Sequence, residues 1–489
     1  MILQQLLQNI ATISIVGNIH REIHDFCFDS RQSKENSLFV AVKGTQVDGH
    51  EYISVAIEKG ASVILCENLP ENLQEKVTYI QVKDSAEALA LVAANFYGNP
   101  AKKLKIIGIT GTNGKTSTAT LLHNCFNQLG YKSGLISTIS YKIGETEYAA
   151  SHTTPDPKQL HKCFADMWEN DCEYCFMEVS SHALVQKRTA GIPFKIALFT
   201  NITHDHLDYH GTFAEYIRAK KLLFDGLDKE AVAIVNVDDK NGNVMVQNCK
   251  GTVKKFAIKR LADYHCRLIE NTFEGLLLEI GGIETWFRLV GSFNAYNLLG
   301  VFAVMKELGI ETENALQVLS AQPGVNGRFE AIFSPELKIT AIVDYAHTPD
   351  ALKNVLETIT DINQTRGNIL TVIGCGGNRD KEKRPKMANI ASEFSHQVIL
   401  TSDNPRNENP NDILAQMYAG ISLELRRKVM QIENRKEAIK VASRLAKPYD
   451  IILIAGKGHE TYQEIMGVKY SFDDKEEIRN AFEELKMGK

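Results

Sequence analysis

The segment Leu104-Lys-Ile-Ile-Gly-Ile-Thr110 runs directly into Gly111-Thr-Asn-Gly-Lys-Thr-Ser117, and an amphipathic stretch follows at once. A buried strand that meets a glycine-rich turn and then a helix N-terminus commits this part of the chain to a parallel α/β unit. The helix is read from Leu121, Leu122, Cys125, Phe126 and Leu129, spaced by three and four, with Gly130 as its stop. Such a turn aims backbone N–H groups at a phosphate, and the helix dipole adds to the attraction. Lys115 would reach the terminal phosphates of ATP, and the Thr116 hydroxyl would hold Mg²⁺. Gly111, Thr112, Asn113, Gly114 and Ser117 complete the loop. The common pattern places its first glycine five positions before Gly114, where this chain has Ile109, so the loop is a shortened variant.

A chain of 489 residues is too long for one core, so two to four domains are expected. Apolar residues at 44% and charged residues at 24% describe a globular protein, and a net charge of −5 argues against a nucleic-acid partner. The nine cysteines show no framework spacing, and Cys172-x-x-Cys175 runs on into Met177 and Val179 like a buried strand. That usage suits a reducing cytoplasm. The N-terminus is too polar for a spanning helix, and no run reaches about 18 apolar residues, so no membrane is expected. A monomer acting on small molecules is the expected form.

Three α/β blocks are expected: residues 1–100, 101–325 and 326–489. The first holds strands at Ser37–Val42 and Ala61–Cys66, and helices at Tyr52–Lys59 and Ser85–Tyr97, and closes at Gly98-Asn99-Pro100. The second, a P-loop domain, ends near Gln322–Gly327. The third, Rossmann-like, has four apolar strands, at Ile339–Val343, Ile369–Ile373, Val398–Leu400 and Ile451–Ile454, each feeding a polar loop. Ligands bind at the carboxyl ends of such strands, so these loops should converge on one edge.

Glu178, in Phe176-Met-Glu-Val-Ser-Ser-His182, stands at a strand end where a P-loop fold keeps a metal-binding acid. The run His204-Asp-His-Leu-Asp-Tyr-His210 is dense in potential ligands. Mg²⁺ beside ATP accepts at most one imidazole, and His206 is the choice. Thr212-x-x-Glu215 is a capping box that starts a helix, whose apolar stripe is Phe213, Tyr216, Ile217, position 220, Leu223 and Phe224. Lys220 therefore lies on the buried face, with Lys221 turned away by about 100°. It would snorkel out, pair with an acid, or lose its proton and react with CO₂ to form a carbamate.

Taken together these residues resemble the Mur ligases, the ATP-dependent amide ligases of peptidoglycan precursor synthesis. The likeness runs along nearly the whole chain: the phosphate loop, Met177-Glu-Val-Ser-Ser-His182, Asp205-His-Leu-Asp-Tyr-His-Gly211, Gly291-x-Phe-Asn-x-x-Asn297, Gly327-Arg-Phe-Glu330 and Asp344-Tyr-Ala-His-Thr-Pro-Asp350. The resemblance implies that Lys115, Glu178, His206 and Lys220 are catalytic. It also implies that Lys220 is carbamylated, becoming a ligand for a second Mg²⁺. It assigns Asn294, Asn297, Arg328 and Asp344 to the adenine and ribose side of ATP, with His347 nearby.

Within the family the likeness is greatest to members that add the third residue to UDP-MurNAc-L-Ala-D-Glu. It implies that the first block binds the UDP moiety, with Ser30 of Asp29-Ser-Arg31 in contact. Thr153, Thr154, Ser180, Gln186 and Arg188 would contact the muramyl dipeptide, and this chain has His152 where some relatives have Asn. The added amino acid is expected to be diaminopimelate. It differs from lysine by a distal carboxylate, which a guanidinium fork suits, and Asp403-Asn-Pro-Arg406 offers Arg406 beside Asn404. The same arginine would repel lysine's ammonium. Arg379, Gly456 and Glu460 would hold the part that both amino acids share. The alternatives are a lysine-adding ligase, and a non-catalytic nucleotide-binding regulator, which would be expected to have lost Lys115, Glu178 or Lys220.

Overall fold

A computed structural model describes residues 1–44, 47–144, 146–150, 152–363 and 367–487. Its strands form sheets of five, eleven and six strands in succession along the chain, plus one two-stranded hairpin. The first sheet runs in the order Thr12–Val16, Thr78–Val82, Ala61–Cys66, Ser37–Val40, Asp25–Cys27, parallel except for its first pair. Asp84 caps the helix Ser85–Phe96 by accepting from the Glu87 N–H. The helix buries Leu89, Val92 and Ala93 on Leu38, Val63 and Ile80. The stretch read as one helix over Tyr52–Lys59 is divided, a 3₁₀ turn at Gly49–Tyr52 preceding the α-helix Ile53–Glu58. Asp48 accepts from the His50 N–H and so starts the turn early.

In the second sheet the strand Lys105–Thr110 lies between two parallel neighbours, Tyr174–Glu178 and Phe194–Phe199. Its residues are almost wholly buried because helices cover both faces. Lys115–Gln128 and Ser292–Glu307 pack on one face through Leu122, Phe126, Leu298 and Val301. Pro157–Glu169 and Phe213–Asp225 cover the other through Phe164, Tyr216 and Phe224. Antiparallel hairpins extend both edges. Cys175 lies inside the buried strand Tyr174–Glu178, and all nine cysteines are free thiols.

The third sheet has the order Glu330–Ser334, Ile339–Asp344, Ile451–Ala455, Ile369–Ile373, Gln397–Leu400, Val429–Gln431. Only the first pair is antiparallel. The four strands read from the sequence are thus parallel, and their carboxyl-end loops share one edge. The edge strands Glu330–Ser334 and Val429–Gln431 were not anticipated; each carries too short an apolar run to be read. No described helix is long and apolar enough to cross a membrane.

Candidate active site

The phosphate loop is braced from behind and beside. Gly114 caps the following helix at φ +86°, and a Cβ there would sit 2.4 Å from Asn297 Oδ1. Thr200, just past the adjacent strand, donates to the Asn113 carbonyl at 2.6 Å, and Asn201 Oδ1 accepts from the Asn113 N–H at 3.0 Å. Lys115 Nζ curls over the loop, donating to the carbonyls of Gly111 (2.8 Å) and Thr112 (2.9 Å). Burial lowers its pKa, against the pull of Glu178 and Asp205. The third sheet reaches the same loop. Arg328 donates to Thr116 Oγ1 at 3.1 Å while lying over the Tyr345 ring, and Asn113 Nδ2 donates to Asp350 Oδ2 at 3.1 Å.

Lys220 lies beneath the loop. Thr212 caps its helix by accepting from the Glu215 N–H at 3.2 Å, as the capping box predicts. Position 220 then falls on the buried face, while Lys221 pairs with Asp225. Lys220 is 1% exposed, so it does not snorkel. Nor does it pair with an acid: Nζ donates to the Gly111 carbonyl at 2.8 Å and lies 4.7 Å above the Tyr216 ring. Desolvation, with Lys115 close by, pushes its pKa far below that of an ordinary lysine, and Asp205 only partly opposes this. The neutral amine so favoured is the form that reacts with CO₂.

Glu178 is wholly buried at its strand end, accepting from the Thr138 N–H (2.8 Å) and hydroxyl (3.2 Å). His206, at φ +54°, stands 3.3 Å from Asp205 Oδ2. Desolvation holds its imidazole well below the usual pKa, against the pull of Asp205, so the ring is neutral at physiological pH. The other two histidines of that loop turn elsewhere, His210 to Ser181 Oγ at 2.9 Å and His204 towards Asp380 at 3.9 Å. Among the described residues no three His, Cys, Asp or Glu side chains converge at metal-binding separation. The donors that line the cleft, Glu178 with the Thr116 hydroxyl and one neutral imidazole, fit Mg²⁺, which takes few protein ligands and completes its shell with phosphate oxygens and water.

Thr153, Thr154, Ser180 and Arg188 line the same cleft. Thr154 donates to the Glu178 carbonyl at 2.8 Å, the Thr153 and Thr138 hydroxyls meet at 3.1 Å, and Arg188 donates to the Thr154 carbonyl at 2.8 Å. Gln186 stands behind the lining and accepts two hydrogen bonds from Arg188, so it orients that guanidinium. Ser180 caps the helix Ser181–Val185. Ser30 lies apart from the cleft lining, in a 3₁₀ turn of the first sheet whose cap is Asp29. Lys158 ties that region to the second sheet through Asp25 Oδ1 and the Phe26 carbonyl, both at 2.6 Å.

The loops of the third sheet supply the opposite wall. Arg379, Asp403, Asn404, Arg406, Gly456 and Glu460 all line the cleft. Arg406, at φ +49°, donates to the Gly377 carbonyl at 2.9 Å, with Glu464 at 3.4 Å from its Nε. A Cβ on Gly456 would meet Asp403 Oδ2 at 2.6 Å, so only glycine lets that carboxylate approach. Burial and the charge of Asp403 push the Glu460 carboxyl up, against the pull of Lys457 and Asn404. Asp344 lines the cleft although mostly buried, its carboxylate accepting from the N–H groups of Phe329 (2.6 Å) and Ala346 (2.7 Å). It thereby holds the segment that carries Arg328. Asn294 does not line the cleft. It bonds the Val290 carbonyl and accepts from Asn297, which does reach the lining. Both walls enclose one cleft of about 1520 Å³.

Family models agree with this arrangement. That for the Mur ligase middle domain matches residues 109–305, that for the Mur ligase glutamate ligase domain matches 327–458, and that for the Mur ligase family catalytic domain matches 22–97. The chain belongs to the Mur ligase family. A Cytophaga hutchinsonii protein named UDP-N-acetylmuramoyl-L-alanyl-D-glutamate–2,6-diaminopimelate ligase is 53% identical over 484 residues, covering 99% of each chain. A Bacteroides fragilis protein of the same name is 50% identical over 480 residues, covering 98% of this chain and 99% of its own. A solved structure of a ligase of that name superposes with a TM-score of 0.69 at 29% identity, covering 99% of each chain.

Several residues of this Mur ligase cleft escaped sequence reasoning. Asp350 closes a motif that assigns it no contact, yet it touches the phosphate loop. Lys457, 0% exposed, lies in a loop that was singled out only for its glycine and glutamate. Glu464, beside Arg406, lies in the hairpin of Tyr462–Ile465 and Val468–Ser471. The sequence signal for Lys457 is its place between two glycines straight after a buried strand, where a long cation needs a partner.

Proposed function

We propose that this chain is an ATP-dependent ligase joining the D-Glu γ-carboxylate of UDP-MurNAc-L-Ala-D-Glu to an amino group of meso-diaminopimelate, in peptidoglycan precursor synthesis. The observation that carries this reading is that Arg406 faces the cleft that also holds the phosphate loop, Glu178 and Arg188. A distal carboxylate on the incoming amino acid has a guanidinium to meet, and lysine's ammonium would meet like charge. Residues 1–100 would bind the UDP moiety with Ser30 in contact, 101–325 would carry ATP, and 326–489 the amino acid.

In the reaction the D-Glu carboxylate oxygen attacks the γ-phosphorus of ATP and the bond to ADP breaks, leaving an acyl phosphate. The amine then attacks the acyl carbon, phosphate departs with the bonding pair, and the nitrogen loses a proton as the amide forms. Lys115 exchanges its carbonyl partners for phosphate oxygens and neutralises charge gathering on the transferred group. Arg188, oriented by Gln186, holds the dipeptide so that its carboxylate meets the phosphorus. A carbamate on Lys220 would add an anionic ligand under the loop. Mg²⁺ held by Thr116, Glu178 and His206, with a second ion held by that carbamate, would screen the phosphates and polarise the γ-phosphorus.

The test is to supply ATP, Mg²⁺ and UDP-MurNAc-L-Ala-D-Glu with meso-diaminopimelate or L-lysine, and to follow phosphate release and product mass. Tripeptide with diaminopimelate alone is the expected result. Tripeptide with lysine alone would overturn the role given to Arg406, and none with either amino acid would overturn the ligase reading.

A further inference from the structure

Lys457 is a fully buried cation that the reaction above does not use. Its Nζ donates to Asn404 Oδ1 at 3.1 Å and to Glu460 Oε2 at 3.1 Å, and stands 4.0 Å from Asp403 Oδ1. Asn404 completes a closed ring. Its Nδ2 donates to the same Glu460 oxygen at 2.7 Å, while its Oδ1 also accepts the Glu464 N–H at 2.9 Å. The amide is thereby fixed in one orientation, since turning it over would set its NH₂ against an ammonium and an N–H. One oxygen of Glu460 is taken twice, and the other is free of this ring.

We propose that Lys457 is a positioning residue for the amino-acid subsite: it locks Asn404 and holds Glu460 ionised, so that one carboxylate oxygen faces the substrate's ammonium. This deepens the ligase reading and rests on it. The charges agree with it. Asp403, Glu460 and Lys457 sum to one net negative charge at a buried wall, which an ammonium group neutralises. Arg406, tied to Glu464, is left for the carboxylate. Without Lys457 two carboxylates would face each other in a poorly solvated place, and one of them would take up a proton. Around this ring the charged and titratable neighbours among the described residues are Asp403, His459, Tyr345 and Tyr462, with Arg406 and Glu464 on the hairpin side. Arg435 lies beneath, neutralised by Asp474 at 2.7 Å.

The experiment compares wild type with Lys457→Met and Lys457→Gln in the tripeptide assay. It reads KM for diaminopimelate, KM for ATP, and the pH dependence of 1/KM for diaminopimelate. The expected result is a rise of tenfold or more in KM for diaminopimelate in both variants, with KM for ATP within about twofold. The acid-side fall of 1/KM should also move to higher pH, because Glu460 must lose its proton before it can accept the ammonium. A merely structural lysine would not move that limb. Lys457→Gln keeps a donor and no charge, so it carries the test should the methionine variant fail to fold. Unchanged KM and an unmoved limb in a folded variant overturn the proposal. Wild type that makes no tripeptide overturns the ligase reading instead, which separates the two failures.

Discussion

At the scale of one residue, Lys220 is the clearest conflict between stability and activity in this molecule. A buried ammonium lacking an acidic partner is costly, and the folded state relieves the cost by favouring the neutral amine. The unfolded chain binds that proton at an ordinary lysine pKa, so the linkage sign is fixed. Between the lowered folded pKa and about 10.4 the unfolded state holds more protons, and this group's penalty shrinks as pH rises through that window. Lys220→Met should therefore raise stability at neutral pH by about 1–2 kcal/mol, measured by chemical denaturation, while abolishing turnover. In wild type supplied with ¹³C-bicarbonate, a carbamate carbon resonance that the methionine variant lacks should be visible by NMR. Loss of stability in Lys220→Met would overturn the cost assigned to the buried amine, and identical spectra would remove the carbamate from the account. This residue was legible because helix periodicity alone puts position 220 on the buried stripe. For Lys457 the sequence signals only that a partner is needed, not which one, because Asn404 is 53 positions away and meets it only when two parallel strands bring their loops together.

Elements explain why so much of the cleft could be read in advance and where reading stopped. Strand-then-loop patterns identify carboxyl ends, and carboxyl ends of a parallel sheet share an edge, so Arg379, Asp403, Arg406, Gly456 and Glu460 fall together as expected. What periodicity does not encode is which polar group faces outward. Asn294 stands in a motif position yet spends its polar atoms on the Val290 carbonyl and on Asn297, whereas Asp344 reaches the cleft lining with its oxygens already on backbone N–H groups. The phosphate loop has the same logic in a sharper form. Gly114 has φ +86° and no room for a methyl group beside Asn297, so its identity is set by the helix Ser292–Glu307 behind it. Gly114→Ala should weaken binding of a non-hydrolysable ATP analogue by tenfold or more in calorimetry, with binding of the UDP substrate little changed. Unaltered nucleotide affinity would mean that the loop and Asn297 make room for a methyl group at no cost.

Across the whole molecule, the cleft belongs to no single sheet. Asn113 meets Asp350 from 237 positions away, and Arg328 reaches Thr116 across 212. Contacts of that range carry no sequence signal, since neither partner lies in the other's local pattern. These two are polar, and beside them Val290 and Phe293 pack into the core of the third sheet, so the seam is part polar and part apolar, and its polar part is the kind of contact that permits relative movement. An acyl phosphate is lost to water unless water is shut out, so the walls should draw together once ATP and both acceptor substrates are bound. The bonds from Arg328 to Thr116 and from Asn113 to Asp350 occupy groups that phosphate and Mg²⁺ would claim, so closure must re-form this seam around ligands rather than tighten it as it stands. Solution scattering with a non-hydrolysable ATP analogue, Mg²⁺, UDP-MurNAc-L-Ala-D-Glu and diaminopimelate should give a smaller radius of gyration than the free chain. In Asp350→Ala, which removes one side of the seam and leaves the substrate loops intact, the free chain should be more expanded. The fully bound form should be unchanged, because ligands then hold the walls. Equal dimensions in all four samples would mean that the cleft is already closed and that water is excluded by the substrates themselves.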